Sequence, residues 1–456
     1  MKQGDLNRLA VFCLTVCLAI GGVAVAADAS SDDLVPMVVN LLLDKDRDMR
    51  ALGLQQVREA AKGPAATRRF VALLPKLPPD GQAALLDALA TRGDTTARPA
   101  VLEMLHSRQE AVRAAAVRAL GALGNAADVP LLVRTLDAAG SEKAAARTSL
   151  VQLMGPDVTA ALVGQMKHSP AETKVKLLAV LGARRARDTI PAILKAALDD
   201  DADVRTAAMR VLGQLAKPKH IPAMLKGLLK ARPGPERDWA EKAVMFVCKR
   251  IPQASQRARP LLEAWKGLNA ADQVSVLPTL GRVGGPASLK IVAEAIADKD
   301  PRHHAAGVAA ICYWPDASVA PQLIALARSE PDAPRRLLAL RALIRVAALP
   351  DGRSNAQRLV LLKKAMSMAT GDDDRNYVIK RANAIRSIET LRFVAPYLGQ
   401  PAFAQQACAT VVELAHHREL REPNQAEFHR ALDVVIRTSK DPGVVDRAKR
   451  YQRGQT

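Results

Sequence analysis

Aromatic side chains are scarce in this chain of 456 residues: they make up 3% of it, although 49% is hydrophobic. A globular enzyme of that length carries more Phe, Tyr and Trp in its core. The scarcity therefore argues for thin helix-on-helix packing, in which Ala and Leu let backbones approach closely. Cysteine is scarce as well. Of the five, Cys13 and Cys17 fall in an apolar first stretch, and Cys248, Cys312 and Cys408 fall in three separate repeats. Stacked helices lie about 8–10 Å apart, beyond the roughly 7 Å Cα limit for a bridge. A disulfide framework is thus excluded, and buried free thiols are expected. Catalytic signatures are missing too: there is no G-x-S-x-G elbow, no Walker loop and no H-E-x-x-H. No catalytic, metal or cofactor residue is assigned, and the chain is expected not to be an enzyme.

What is present is repetition. The stretch Asp188 to Pro218 reads as two short helices and their turns. Pro191 suits a first helical position, where its missing N–H needs no partner. Ile193, Leu194, Ala197 and Leu198 form one apolar stripe, and Val204, Ala207, Ala208, Val211, Leu212 and Leu215 form a second. Between them Asp199, Asp200, Asp201 and Asp203 supply capping oxygens. Three markers keep one period of about 31 residues. Pro130, Pro191 and Pro222 lie 61 and 31 apart, and the dipeptides Met49-Arg50, Val112-Arg113 and Val204-Arg205 lie 63 and 92 apart. Gly63, Gly93, Gly124 and Gly155 recur at 30, 31 and 31, where a helix end calls for a left-handed residue.

A hairpin of this kind cannot bury its apolar faces alone and needs a copy on each side. The expectation is an all-α fold, an α-solenoid (superhelix) of about twelve stacked helical hairpins. Hairpins are placed at 33–63, 64–94, 95–125, 126–156, 157–186, 187–218, 219–253, 254–285, 286–316 and 317–350. A longer, irregular unit, 351–388, precedes another regular one, 389–420. Residues 27–420 form the solenoid. Residues 421–456 are expected to cap it, with a capping box at Asn424 and Glu427 and a last helix opened by Asp441-Pro442.

The first segment has the pattern of an export signal. Lys2 and Arg8 precede the apolar run Leu9 to Val25, and Ala24-Val25-Ala26 offers small residues to a signal peptidase. Residues 1–26 are read as a cleaved signal peptide, and the mature chain as periplasmic or extracellular. The alternative is an uncleaved N-terminal anchor, since about 18 apolar residues can just span a bilayer.

The unit VPxLxxxLxDxDxxVRxxAxxALGxLG is matched in part by Val129 to Gly155 and closely by Ile190 to Leu215. It resembles the HEAT-like repeat of the phycobilisome-lyase type over nearly the whole mature chain. The resemblance implies an α-solenoid whose second helices line a concave face and whose usual work is protein binding. An iron-holding branch of that superfamily, deoxyhypusine hydroxylase, uses His-Glu dipeptides, and no His here is followed by Glu.

Close histidines, His303-His304 and His416-His417, lack a third and fourth ligand at helical spacing. Asp44, Asp46 and Asp48 resemble the start of a calcium loop, but Met49 and Gln55 stand where Gly and Glu are needed. Asp199, Asp201 and Asp203 repeat the pattern 155 residues on, which points to helix capping.

Two features stand above this background. Lys and Arg outnumber Asp and Glu by 66 to 46, a formal net charge of +20. Part of the excess recurs in successive turns after second helices, at Arg184, Arg185 and Arg187, then Lys217 and Lys219, then Lys249 and Arg250, then Arg282. Stacking would align these into one basic ridge for an anionic partner, although cations at helix C-termini also simply suit the macrodipole. Trp239, Trp265, Tyr313 and Trp314 crowd into three consecutive repeats beside that ridge. Either they anchor a partner or they fill a wider gap between helices. The ligand groove is placed over 219–316.

The leading reading is an exported, non-enzymatic scaffold that binds a protein, or an anionic envelope polymer, through a concave face and a basic edge. The alternatives are a nucleic-acid-binding protein resembling the HEAT-like DNA glycosylases, which the export signal opposes, and a tetrapyrrole-handling lyase or chaperone.

Overall fold

The computed structural model describes residues 31–60 and 62–455, so the segment 1–26 read as a signal peptide lies outside the described residues. Every regular element among them is helical. The chain divides into two compact units, one ending at Arg184 and the other running from Arg185.

Each unit is an α-solenoid of helical hairpins. In the first unit the pairs are Ser31–Leu42 with Arg47–Glu59, Pro64–Val71 with Pro79–Arg92, and Arg98–Met104 with Glu110–Leu123. Val129–Thr135 with Ser141–Gln152 and Val158–His168 with Ala171–Ala183 complete it. The second unit opens with Ile190–Ala196 and Ala202–Leu215 and continues in the same way to Gln425–Thr438 and Pro442–Gln452. The stretch 351–388 is more regular than expected. It is an ordinary hairpin, Asn355–Met368 with Asp372–Ala382, whose first helix is long at 14 residues and is opened by a capping box between Ser354 and Gln357.

The sequence markers have identifiable physical causes. In the acidic turns, Asp46 accepts hydrogen bonds from the N–H groups of Asp48 (2.7 Å) and Met49 (3.4 Å). Asp201 does the same for Asp203 (2.9 Å) and Val204 (3.0 Å). The carboxylates thus satisfy orphan donors of a helix N-terminus. The arginine of each Val-Arg or Met-Arg dipeptide bends back to the carbonyls of its own inter-helix turn. Arg50 donates to Asp44 and Lys45, Arg113 to Ser107 and Arg108, and Arg205 to Asp199 and Asp200. Arg113 and Arg205 also reach the next hairpin, at Glu142 (2.6 Å) and Glu236 (2.7 Å). One side chain therefore closes a turn and joins two repeats.

Two local expectations need correction. Gly63, Gly93 and Gly155 have positive φ, but Gly124 has φ −81°. Glycine is required there for space: a Cβ would sit 2.6 Å from the Leu120 carbonyl oxygen and 2.7 Å from Asp128 Oδ2. The capping box at Asn424 and Glu427 does not form. The Asn424 amide donates to the Leu420 carbonyl (2.8 Å), and Glu427 is taken by Arg392 (2.7 Å). The last helix does open as expected, with Asp441 accepting from Gly443 (2.8 Å) and Val444 (3.3 Å).

Candidate binding groove

The basic residues singled out from the sequence divide into two sets. Arg185, Arg187, Lys217, Lys219 and Lys249 are exposed residues at or just beyond the ends of second helices, in the second unit. Arg184, Arg250 and Arg282 are engaged with the protein. Arg184, in the first unit, donates to the carbonyls of Leu150 (2.7 Å) and Val151 (2.9 Å). Arg250 donates to those of Gly213 and Ala216. Arg92 and Arg345 repeat the arrangement, on Val57 and Ala60 and on Cys312 and Trp314. An arginine at the end of one second helix thus caps the C-terminus of the preceding one, where carbonyls are unpaired and the dipole is negative. Burial lowers the Arg250 pKa from its usual value, and Arg187 nearby adds to the effect. Arg282 is 8% exposed and pairs with Glu241 (2.8 Å) and Asp238 (2.5 Å).

The tryptophans are engaged within the protein. Trp314 is 1% exposed, with its indole N–H on Ser318 Oγ (3.2 Å). Trp265 ties its own hairpin by donating to the Gln273 carbonyl (3.1 Å). Trp239 is half-buried beneath the Arg210 guanidinium, 4.3 Å from the ring centre, with Lys242 at 5.3 Å. Arg282 lies 3.8 Å over Tyr313, and Arg421 lies 5.2 Å over Tyr451. From Arg210 to Trp239, Arg282 to Tyr313 and Arg421 to Tyr451 the spacing is one repeat, so each cation–π contact joins a hairpin to its successor.

A groove of the first unit lies outside the stretch 219–316 expected from the sequence. It runs between the second helices Ser141–Gln152 and Ala171–Ala183 and has a volume of about 770 Å³. Its origin is visible by comparison with the preceding helix. Ala114, Val117 and Gly121 are buried against Ser141–Gln152. A Cβ on Gly121 would meet Ser149 Cα at 3.0 Å, and the Ser149 hydroxyl donates to the Val117 carbonyl (2.7 Å). Thirty residues on, the same stripe reads Ala144, Arg147 and Val151. Ala144 and Arg147 are exposed, and Val151 is half-buried. A charged side chain replaces a buried valine, and a branched one replaces the glycine that allowed close approach. The two helices part, leaving Leu136, Val151 and Val175 as an apolar floor.

Three cations line this groove, and no carboxylate does. Lys176 is paired with Asp137 (2.6 Å) and Glu172 (2.7 Å), and the Asp137 bond raises its pKa most. Lys143 contributes to holding the Asp137 carboxyl below its usual range, after the Lys176 hydrogen bond that dominates. Arg147 makes no ion pair among the described residues. The signal in the sequence was the break in the glycine register at Val151. It stayed hidden because the period was set by turn prolines and glycines, not by the stripe between neighbouring hairpins.

Cys248, Cys312 and Cys408 are buried free thiols, with pKa values pushed up by burial to about 12, about 12 and about 11. Among the described residues no cluster of three His, Cys, Asp or Glu side chains is placed to hold a metal ion. No helix among them is long and apolar enough to cross a membrane.

Residues 66–151 and 159–245, less than half of the chain, match the family described as HEAT repeats. The first of these segments reaches the groove residue Val151, and the second contains the opposite wall, Val175 to Ala183. Over those residues the chain is similar to HEAT repeats. No curated protein matches the chain. Among solved structures, that of Kap121p bound to Nup53p aligns with 93% of this chain and 53% of its own, at 13% identity and a TM-score of 0.47. Yeast importin-beta (Kap95p) aligns over 93% of this chain and 67% of its own, at 11% identity and a TM-score of 0.44. The chain therefore spans little more than half the length of the Kap121p structure.

Proposed function

We propose that this HEAT-like solenoid is a non-enzymatic scaffold that binds a protein partner, and that it does so outside the cytoplasm once residues 1–26 have been removed. The observation behind the binding half is the open groove between Ser141–Gln152 and Ala171–Ala183. A soluble chain has no reason of stability to hold an apolar trench open between repeats, and such surfaces mark interaction sites. The exposed cations at these helix ends, Arg185, Arg187, Lys217, Lys219 and Lys249, add a long-range attraction for acidic partners. The export half rests on the basic start, apolar run and small residues that end at Ala26.

The test is crosslinking in cells that express the full-length chain, followed by cell fractionation and mass spectrometry. The expected result is a mature protein beginning close to Asp28 in the exported fraction, crosslinked to a defined protein. Retention of residues 1–26 in the cytoplasm would remove the export half. Crosslinks to nucleic acid or to an envelope polymer, with no protein among them, would remove the binding half.

A further inference from the structure

The groove carries more information than its openness, because its chemistry constrains what can occupy it. From the small, exposed walls, the apolar floor and a rim of three cations on which Arg147 has no ion-pair partner among the described residues, we infer that the gap between Ser141–Gln152 and Ala171–Ala183 is a docking slot for an acidic amphipathic helix of a partner protein. This rests on the scaffold reading above and names the chemistry of its partner.

Three observations converge on that occupant. First, the walls are lined by Ala144, Thr148, Ala179 and Ala183, all exposed. Small residues let another backbone come close. They leave the trench too open to enclose a small molecule, which would normally bury most of its surface in a pocket of this size. Second, the floor of Leu136, Val151 and Val175 runs along two parted helices, as a groove for the apolar stripe of a third helix requires. Third, the charge is one-sided. Lys176 is answered by Asp137 and Glu172, but Arg147 projects from the slot with no carboxylate of the described residues paired to it. Carboxylates on the flanks of an incoming helix would meet Arg147 and Lys143 while its apolar stripe covers the floor. Val151 acts as the spacer. In the preceding hairpin the equivalent Gly121 lets the next helix close the gap with its own Ser149.

The probe is a labelled amphipathic helical peptide of about 18 residues, with leucine along one stripe and glutamate on its flanks. A second peptide replaces every glutamate by lysine. Binding to the full chain is read by fluorescence anisotropy at several salt concentrations. The glutamate peptide is expected to bind with an affinity that falls as salt rises, and the lysine peptide is expected not to bind. The double variant Lys143→Glu with Arg147→Glu should weaken binding by at least about tenfold. Ala179→Trp, which fills the slot, should remove it. Lys364→Glu with Arg437→Glu, the same charge change at exposed second-unit sites, should alter it by no more than about twofold. Circular dichroism confirms that each variant is folded; if Ala179→Trp is not, Ala183→Glu at the open end of the slot takes its place. Equal weakening by the two charge-reversal pairs would show that net charge alone draws the peptide, and would overturn the assignment. So would unchanged binding by the slot-filling variant. If a protein crosslinked to the wild-type chain is still crosslinked to Ala179→Trp, the slot is wrong and the scaffold reading stands.

Discussion

The two units solve one problem in different ways. Between Ser141–Gln152 and Ala171–Ala183 of the first unit, the second helices stand apart and leave alanines and an arginine in water. In the second unit the corresponding joints are closed by two devices. Glycines admit the neighbouring backbone, as at Gly281, where a Cβ would sit 2.7 Å from Ala310 Cα, and at Gly213 against Ala243 (3.1 Å). Arginines stand over an aromatic ring one repeat ahead, as Arg210 does over Trp239 and Arg282 over Tyr313. Aromatic rings in a helical stack are therefore mortar as readily as they are bait. The groove between Ser141–Gln152 and Ala171–Ala183 has no aromatic residue in its lining.

The sharpest way to break the contrast is to remove the mortar. All three tryptophans lie in the second unit, so their fluorescence during urea unfolding follows that unit. Arg282→Met strips the partner from Glu241, which is 5% exposed, and is expected to cost about 3–5 kcal/mol. Burial already raises the Glu241 pKa above the ordinary carboxylate value. A raised acid destabilises the fold progressively as pH climbs from its unfolded to its folded pKa, so the variant should suffer least at acid pH. Trp314→Ala should cost a similar amount, about 3–5 kcal/mol, through the cavity it leaves. Trp239→Ala should cost only about 1 kcal/mol, because its ring is half in solvent and its cation–π partner remains hydrated. Equal losses at the two tryptophans would mean that the ring beneath Arg210 is as much core as Trp314.

The next test exchanges the residues that set helix spacing. Gly121→Val places a branched side chain where Ser149 Cα would lie 3.0 Å from its Cβ. It should destabilise the first unit by about 1–3 kcal/mol, with faster hydrogen exchange over 110–152. Val151→Ala, at the open joint, should change stability by less than about 1 kcal/mol. A comparable cost for both would mean that the groove is packed as tightly as the closed joint.

The sequence showed the hairpins well, because turn chemistry is local: a proline at a helix start, an Asx cap and an arginine folded back on its own turn all act within six residues. The helix pairs follow the intervals expected for them, except that Ser31–Leu42 begins two residues before 33 and Ile388–Val394 one residue before 389. What could not be read was the fate of side chains that act across repeats. Arg250 and Arg282 looked alike as cations at helix ends, yet one caps carbonyls of the preceding hairpin and the other is buried with two carboxylates. Trp265 and Trp314 looked alike as rings, yet one ties its own hairpin and the other fills the core. Burial decides each case, and burial depends on spacing between neighbours, which Val151 alters with a single side chain.

The smallest effect probes a closed joint that depends on protonation. His304 sits with Nδ1 2.7 Å from the Ile296 carbonyl oxygen and Nε2 2.9 Å from Glu330, at the end of the next hairpin's first helix. Both neighbours are acceptors, so satisfying both requires both ring nitrogens to carry hydrogen, which is the imidazolium form. The Ile296 carbonyl and then Glu330 accordingly raise the His304 pKa from its usual value. A raised histidine contributes stability that is complete below its unfolded pKa of about 6.5 and is lost as pH rises through the folded value. The urea midpoint of tryptophan fluorescence should therefore fall modestly between about pH 6 and pH 8, and His304→Gln should flatten that slope. Glu330 keeps Arg335 (2.7 Å) in either case, so the carboxylate stays paired and the variant reports on the histidine alone. An unchanged slope in His304→Gln would assign the pH dependence to other groups and leave this joint indifferent to the protonation of His304.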